Sequence, residues 1–191
     1  MTQTIDKQTD RRFIHSGLTW EQFKLIEAGF DDSPGIRLFY YESEIEILAV
    51  SLEHETISRF TGGLLGIYFV EKGIEFKPTG RFTQEIEGVV SAQADESYFL
   101  GEGGTTPDLC MEVVFNTAIE KKLKRYQVLG VPEVWFWEDG RFALYCLRGD
   151  SYERVSQSEI VPDLDIELLS KCVLMTSNVE ATREFRRGIS G

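Results

Sequence analysis

The chain has 191 residues, 42% of them hydrophobic and 12% aromatic, enough apolar material for a sizeable core and suited to one domain, or one domain with a tail. Its longest apolar run, Leu64 to Val70, falls far short of the ~20 residues of a membrane span, and no signal-peptide stretch opens the chain, so a cytoplasmic location is expected. The formal charge of −12 argues against a broad nucleic-acid surface, and three widely spaced cysteines fit neither a zinc pattern nor a disulfide framework. With only two histidines, a metal site would have to use oxygen ligands, which points to a hard cation such as magnesium.

Residues 1–16 carry no periodic pattern and read as a loose arm before a single domain over 17–191. Thr19 and Gln22 have the spacing of a capping box, so a helix is expected from Trp20, ended by Gly29. Ile36 to Tyr41 and Glu44 to Val50 read as a hairpin bending at Glu42-Ser43. In its second strand the alternation of isoleucine with Glu44 and Glu46 predicts a half-buried strand with a solvated glutamate face. Ser51 is a candidate N-cap for a helix to about Lys72, where Ile57, Phe60 and Leu64 begin one apolar stripe and Gly62-Gly63 permits close packing.

Ile74 to Phe76 and Arg81 to Ile86 read as strands around a Pro78-Thr79-Gly80 turn. Gln93 to Leu100 is a further strand, with Asp95 opposite in phase to Ala94, Glu96 and Tyr98. The Gly-rich stretch 101–104 leads to Thr106–Phe115, a short apolar run that reads as a fully buried strand. Glu112 does not belong there: a carboxylate in a core strand is costly unless a cation or hydrogen-bond donors compensate it. Asn116-Thr117 can cap a helix from Ala118 to Leu129, on which Lys122 and Tyr126 share a face. Pro132 to Trp137 is an aromatic strand, and Asp139-Gly140 turns it into Ala143–Leu147. Tyr152 to Val155 adds an edge strand, and helices are expected within 162–175 and over 179–187.

Asp95 and Glu112 thus lie on successive strands of a mixed sheet flanked by helices, an α/β (α+β) arrangement in which the two can meet at one end of the sheet. Two convergent carboxylates are what a divalent cation needs, and a nearby lysine could orient water or stabilise charge on a phosphate. Paired acids on strands are also commonly structural.

Gln93 to Glu102, Pro107 to Val114, Lys122 to Tyr126 and Leu129 to Trp135, with an upstream stretch Leu48 to Glu55 that includes His54, together resemble the Uma2 family, also known as domain of unknown function 820 and abundant in cyanobacteria. The resemblance spans roughly residues 17 to 187. It implies the PD-(D/E)xK restriction-endonuclease-like fold and a magnesium-dependent phosphodiesterase acting on DNA, with manganese as an alternative metal. Asp95 matches the first motif aspartate, preceded by Ala94 in place of proline, and Glu112 matches the second acid. Both would be metal ligands. Val114 stands where the usual lysine would be, and Lys122 on the following helix matches the family's lysine instead. Asp108 reads as a turn residue, Glu46 as an accessory ligand, and His54 as a structural hydrogen-bonding residue. Lys121, Lys124 and Arg125 read as a solvated face or as phosphate contacts.

The alternative to an endonuclease is a catalytically inactive interaction or regulatory module, supported by the net charge and by Val114. A homodimer is also expected, on the ground that Trp135, Phe136 and Trp137 form an unusually aromatic strand.

Overall fold

The computed structural model describes residues 10–115 and 119–190. Five strands, β1 (Arg11–Ser16), β2 (Ile36–Tyr41), β3 (Glu44–Ala49), β5 (Thr83–Ile86) and β6 (Val90–Gln93), form an antiparallel sheet ordered β1-β3-β2-β6-β5. A second sheet has six strands in the order β11-β10-β9-β8-β7-β4. They are β4 (Phe76–Pro78), β7 (Glu96–Leu100), β8 (Leu109–Val113), β9 (Glu133–Glu138), β10 (Arg141–Arg148) and β11 (Ser151–Val155). Among the described residues only β8 and β9 run parallel, because the helix α3 (Ile119–Leu129) carries the chain back between them. The other helices are α1 (Trp20–Ala28), α2 (Leu52–Glu71), α4 (Ile166–Val173) and α5 (Asn178–Ile189). This α+β architecture is consistent with the restriction-endonuclease-like fold that the resemblance implies, although the single central sheet expected is divided into two.

Local chemistry explains the boundaries. Thr19 caps α1 by accepting from Gln22 N while the Gln22 side chain accepts from Thr19 N, the reciprocal box that the spacing predicted. Ser51 caps α2 through His54 N. Glu42-Ser43 and Asp139-Gly140 all take positive φ, the conformation of two-residue hairpin turns whose twist matches that of the flanking strands. The expected cap at Asn116-Thr117 and the start at Ala118 lie outside the described residues.

The two faces of the second sheet bury different sets of side chains. Leu109, Met111 and Val113 of β8, with Trp135 and Trp137 of β9, pack against Leu65 and Phe69 of α2, Leu169 of α4 and Phe185 of α5. Cys110, Val114, Val134 and Phe136 pack on the other side with Tyr126 of α3 and with Phe39 and Ala92 of the first sheet. A third cluster sets Phe23 of α1 on Leu38, Tyr40 and Ile45. Burying each large apolar side chain in this way contributes roughly 1.5–3 kcal/mol.

Four expectations are corrected here. Residues 11–16 are not a loose arm but the strand β1, paired along its whole length with β3. The strand expected over 93–100 is two strands in different sheets, β6 and β7, with Ala94 and Asp95 between them. The first of the strands expected around Pro78-Thr79-Gly80 runs over Phe76–Pro78 and takes in the proline, and the two strands enter different sheets. Finally, Trp135, Phe136 and Trp137 are buried within the chain itself, so the aromatic strand gives no argument for a homodimer. Among the described residues no helix is long and apolar enough to cross a membrane.

Candidate active site

The alternation along β8 dictates where Glu112 goes. Its neighbours Met111 and Val113 face α2, so Glu112 faces α3, into a layer that otherwise holds Cys110, Val114 and Tyr126. Only 2% of Glu112 is exposed, and an uncompensated carboxylate there would cost several kcal/mol. Compensation comes from one face of α3. Lys122 Nζ donates to Glu112 Oε2, and Tyr126, one turn later, donates its hydroxyl to Oε1. Both helix residues are buried, as the i, i+4 spacing predicts for a shared inward face. Phe39 lies beneath the Lys122 ammonium, 4.7 Å from ring centroid to Nζ. Burial, and the Glu112 charge beside it, raise the Tyr126 pKa well above its ordinary value, so its hydroxyl remains a donor.

Asp95 reaches the same strand from the switch between the two sheets. Its backbone N–H donates to Met111 O at 3.1 Å, and its Oδ2 accepts from Val113 N at 2.8 Å, so it is tied to β8 on both sides of Glu112. His54, at the start of α2, lies 2.8 Å from the same oxygen through Nε2. Oδ1 lies 3.5 Å from Nε of Arg37, a buried arginine on β2. Burial alone would raise the Asp95 pKa. The His54 hydrogen bond and charge, the Val113 N–H and the Arg37 guanidinium outweigh it and hold the carboxyl below its ordinary value.

His54 is held from its other side by Asp10, whose Oδ2 lies 2.7 Å from Nδ1 while Oδ1 accepts from Ser51 N at 2.7 Å. Burial opposes charge on this imidazole, but the bonds to Asp10 and Asp95 prevail and raise its pKa to about 9. The ring is therefore protonated at neutral pH and donates to both acids. Because the folded-state value is raised, this contribution to stability is complete below about pH 6.5 and is lost as pH rises through about 9. Replacing Asp10 with alanine removes both an acceptor for His54 and one for Ser51 N. A loss of roughly 1–3 kcal/mol in a urea titration at pH 7 is expected, shrinking towards pH 9.

Glu46 is not on a solvated face. It is fully buried, Arg12 Nε donates to its Oε1 at 2.6 Å, and Arg125 of α3 donates to Oε2. The charges of Arg125 and Lys122 overcome the effect of burial and lower its pKa to about 2. With each oxygen bonded to an arginine, Glu46 ties β3 to β1 and α3. Arg125 is correspondingly buried, while Lys121 pairs with Glu44 at the surface at 3.3 Å. Asp108 is a turn residue: its Oδ2 accepts from Leu100 N at 2.8 Å and closes the connection between β7 and β8.

Three polar residues at or near the site escaped the sequence reading. Arg37 carried a usable signal, a charge inside the apolar run 36–41, which is the same signal that exposed Glu112. Asp10 gave none. Glu96 sits under Gly62 of α2, where a Cβ would lie 2.9 Å from its carboxyl carbon, and burial raises its pKa to about 7. The pairing of α2 with β7 that makes this contact is invisible at sequence level.

Asp95 and Glu112 are both buried, and Asp95 Oδ2 already accepts two hydrogen bonds, from His54 and from Val113 N. Each Glu112 oxygen accepts one hydrogen bond from the protein, which leaves a lone pair on each. Such a set suits a hard cation that keeps several waters and takes one or two carboxylates from the protein. Among the described residues no group of three or more His, Cys, Asp or Glu side chains is arranged to hold a metal.

A comparison with curated proteins finds no match for the chain. The family model Uma2, described as "Putative restriction endonuclease", matches residues 20–174, which include His54, Asp95, Glu112 and Lys122. The chain belongs to the Uma2 family, whose description supports a nuclease in general.

Proposed function

We propose that the protein is a metal-dependent endonuclease that hydrolyses DNA phosphodiester bonds. The observation that carries this reading is that Lys122 and Tyr126 both bind Glu112 while Asp95 is hydrogen-bonded to Val113, the next residue of the same strand. Asp95 and Glu112 would hold a magnesium or manganese ion. When bound, that ion lowers the pKa of its water and stabilises charge on the phosphate oxygens.

The protein's own residues do the rest. His54 and the Val113 N–H keep Asp95 ionised and fix its Oδ2. Tyr126 fixes the Glu112 carboxylate by donating to Oε1. Lys122 brings a cation to Oε2 from the helix, in the role that the motif gives to the residue two positions after the second acid, where this chain has the core residue Val114. Close to a phosphate, that ammonium can stabilise the charge that develops in the transition state, or orient the attacking water.

The test is incubation of plasmid and single-stranded DNA with magnesium, with manganese, or with EDTA, using Asp95→Ala as the control. Cleavage that needs the metal and vanishes in the variant is expected. Metal-independent cleavage would overturn the metal-dependent mechanism, and no cleavage from the folded wild-type protein would instead favour a non-catalytic module that retains these acids as structure.

A further inference from the structure

The net charge of −12 leaves open where a nucleic-acid backbone would bind. Beside Asp95 three guanidinium groups gather. Arg37, 1% exposed, donates from Nη2 to Glu55 at 3.0 Å and from Nη1 to the Pro34 carbonyl at 3.0 Å. Its Nε, 3.5 Å from Asp95, makes no hydrogen bond. Arg59, on α2 and more than half exposed, shares Glu55 with Arg37 through a 3.0 Å contact and lies 3.9 Å from Glu96. Arg81 donates to the same Pro34 carbonyl and, among the described residues, forms no ion pair with a carboxylate.

One glutamate thus pairs with two arginines, while the third, Arg81, feels the Glu55 and Asp95 charges only from beyond ion-pair distance. Like charges so placed repel one another: burial and then the Arg37 charge both disfavour the charged form of Arg81. If Asp95 turns to a cation, Arg37 loses part of its compensation as well. A groove of about 500 Å³ opens here, lined among others by Glu27, Asp31, Asp32, Arg37, Arg81 and Gln93. Its acidic residues, Glu27, Asp31 and Asp32, would repel an anion, which favours a phosphate at the arginines.

We propose that Arg37, Arg59 and Arg81 form a phosphate subsite that seats the backbone of a nucleic-acid strand beside Asp95, with the groove receiving the adjoining nucleotide. The subsite rests on the nuclease reading for its purpose but not for its test. Two forked, partly exposed guanidiniums over a buried third can grip a phosphate with paired N–H donors, which lysines at the same positions could not do.

Fluorescence anisotropy of a labelled oligonucleotide, single-stranded and duplex, measured in EDTA over a salt series, reads binding without cleavage. Arg81→Ala and Arg59→Ala should each weaken binding on the order of tenfold at 50 mM salt and lower the salt slope by about 1. Arg59 is a surface residue, so its variant keeps the test valid should Arg81→Ala fail to fold. Arg148→Ala removes an exposed arginine paired with Glu159 elsewhere on the protein and should leave binding unchanged. Arginine-dependent binding by a protein that never cleaves would uphold the subsite and defeat the nuclease reading. Cleavage with binding indifferent to Arg59 and Arg81, equal weakening by Arg148→Ala, or no binding by the wild type would overturn the subsite.

Discussion

Lys122→Ala is expected to lower metal-dependent cleavage by at least ~10²-fold, the usual effect of removing one group aimed at developing charge. Lys121→Ala should leave turnover intact and at most weaken DNA binding. The contrast follows from the helix. Successive residues of α3 are turned ~100° apart, so only one of the two lysines can face the sheet. Lys122 is buried on Glu112, while Lys121 reaches Glu44 at the surface. Loss of Lys122 also leaves Glu112 with Tyr126 as its remaining side-chain donor among the described residues. Breaking a buried pair from one side costs roughly 3–5 kcal/mol, so a structural loss could imitate a catalytic one. Lys122→Met separates them, because it keeps the stem over Phe39 and removes only the ammonium. Its cleavage should stay low at temperatures where circular dichroism shows it folded. Wild-type rates from folded Lys122→Met would take the lysine out of the mechanism.

The second large effect concerns stability rather than chemistry. Glu46 is buried between Arg12 and Arg125, with its pKa lowered from 4.5 to about 2. A depressed carboxylate stabilises the fold above its unfolded-state value, and that contribution disappears as pH falls through the folded-state value. For this shift the contribution is about 3 kcal/mol, present above pH 4.5 and gone near pH 2. Urea unfolding followed from pH 6 to pH 2 should show this fall in the wild type. Glu46→Gln should be destabilised by roughly 3–5 kcal/mol at pH 6, because the buried Arg125 guanidinium then loses its counter-charge, and its profile should be flatter below pH 4.5. Parallel profiles in the two proteins would show that Glu46 is not the titrating group.

The same two sites show what sequence could and could not reveal. Glu112 was legible because its misfit is local: a carboxylate between Met111 and Val113 needs a partner wherever the strand lies. Lys122 and Tyr126 were legible because helical periodicity alone puts them on one face. Glu46 misled because alternation along a strand predicts which side it faces, not what covers that side. Its covering comes from Arg12 and Arg125, 34 and 79 residues away in the chain. The transfer from β6 to β7 was hidden for a related reason. Residues 90–99 mix polar and apolar side chains and are almost all buried in both sheets, so no change of pattern marks the point where the chain leaves one for the other at Ala94-Asp95. That unmarked break is what delivers Asp95 to β8, and the arginine that touches it, Arg37, comes from the other sheet altogether.

The central claim is that Asp95 and Glu112 act together in a metal-dependent phosphodiesterase. It is tested most directly by the initial rate of plasmid cleavage against magnesium concentration for the wild type, Asp95→Asn and Glu112→Gln, each near in shape to the residue replaced. The wild type should cleave with a saturable dependence on magnesium, and both variants, folded, should be slowed by at least ~10²-fold at saturating metal. A wild-type rate from either folded variant, or a rate indifferent to magnesium, would contradict it.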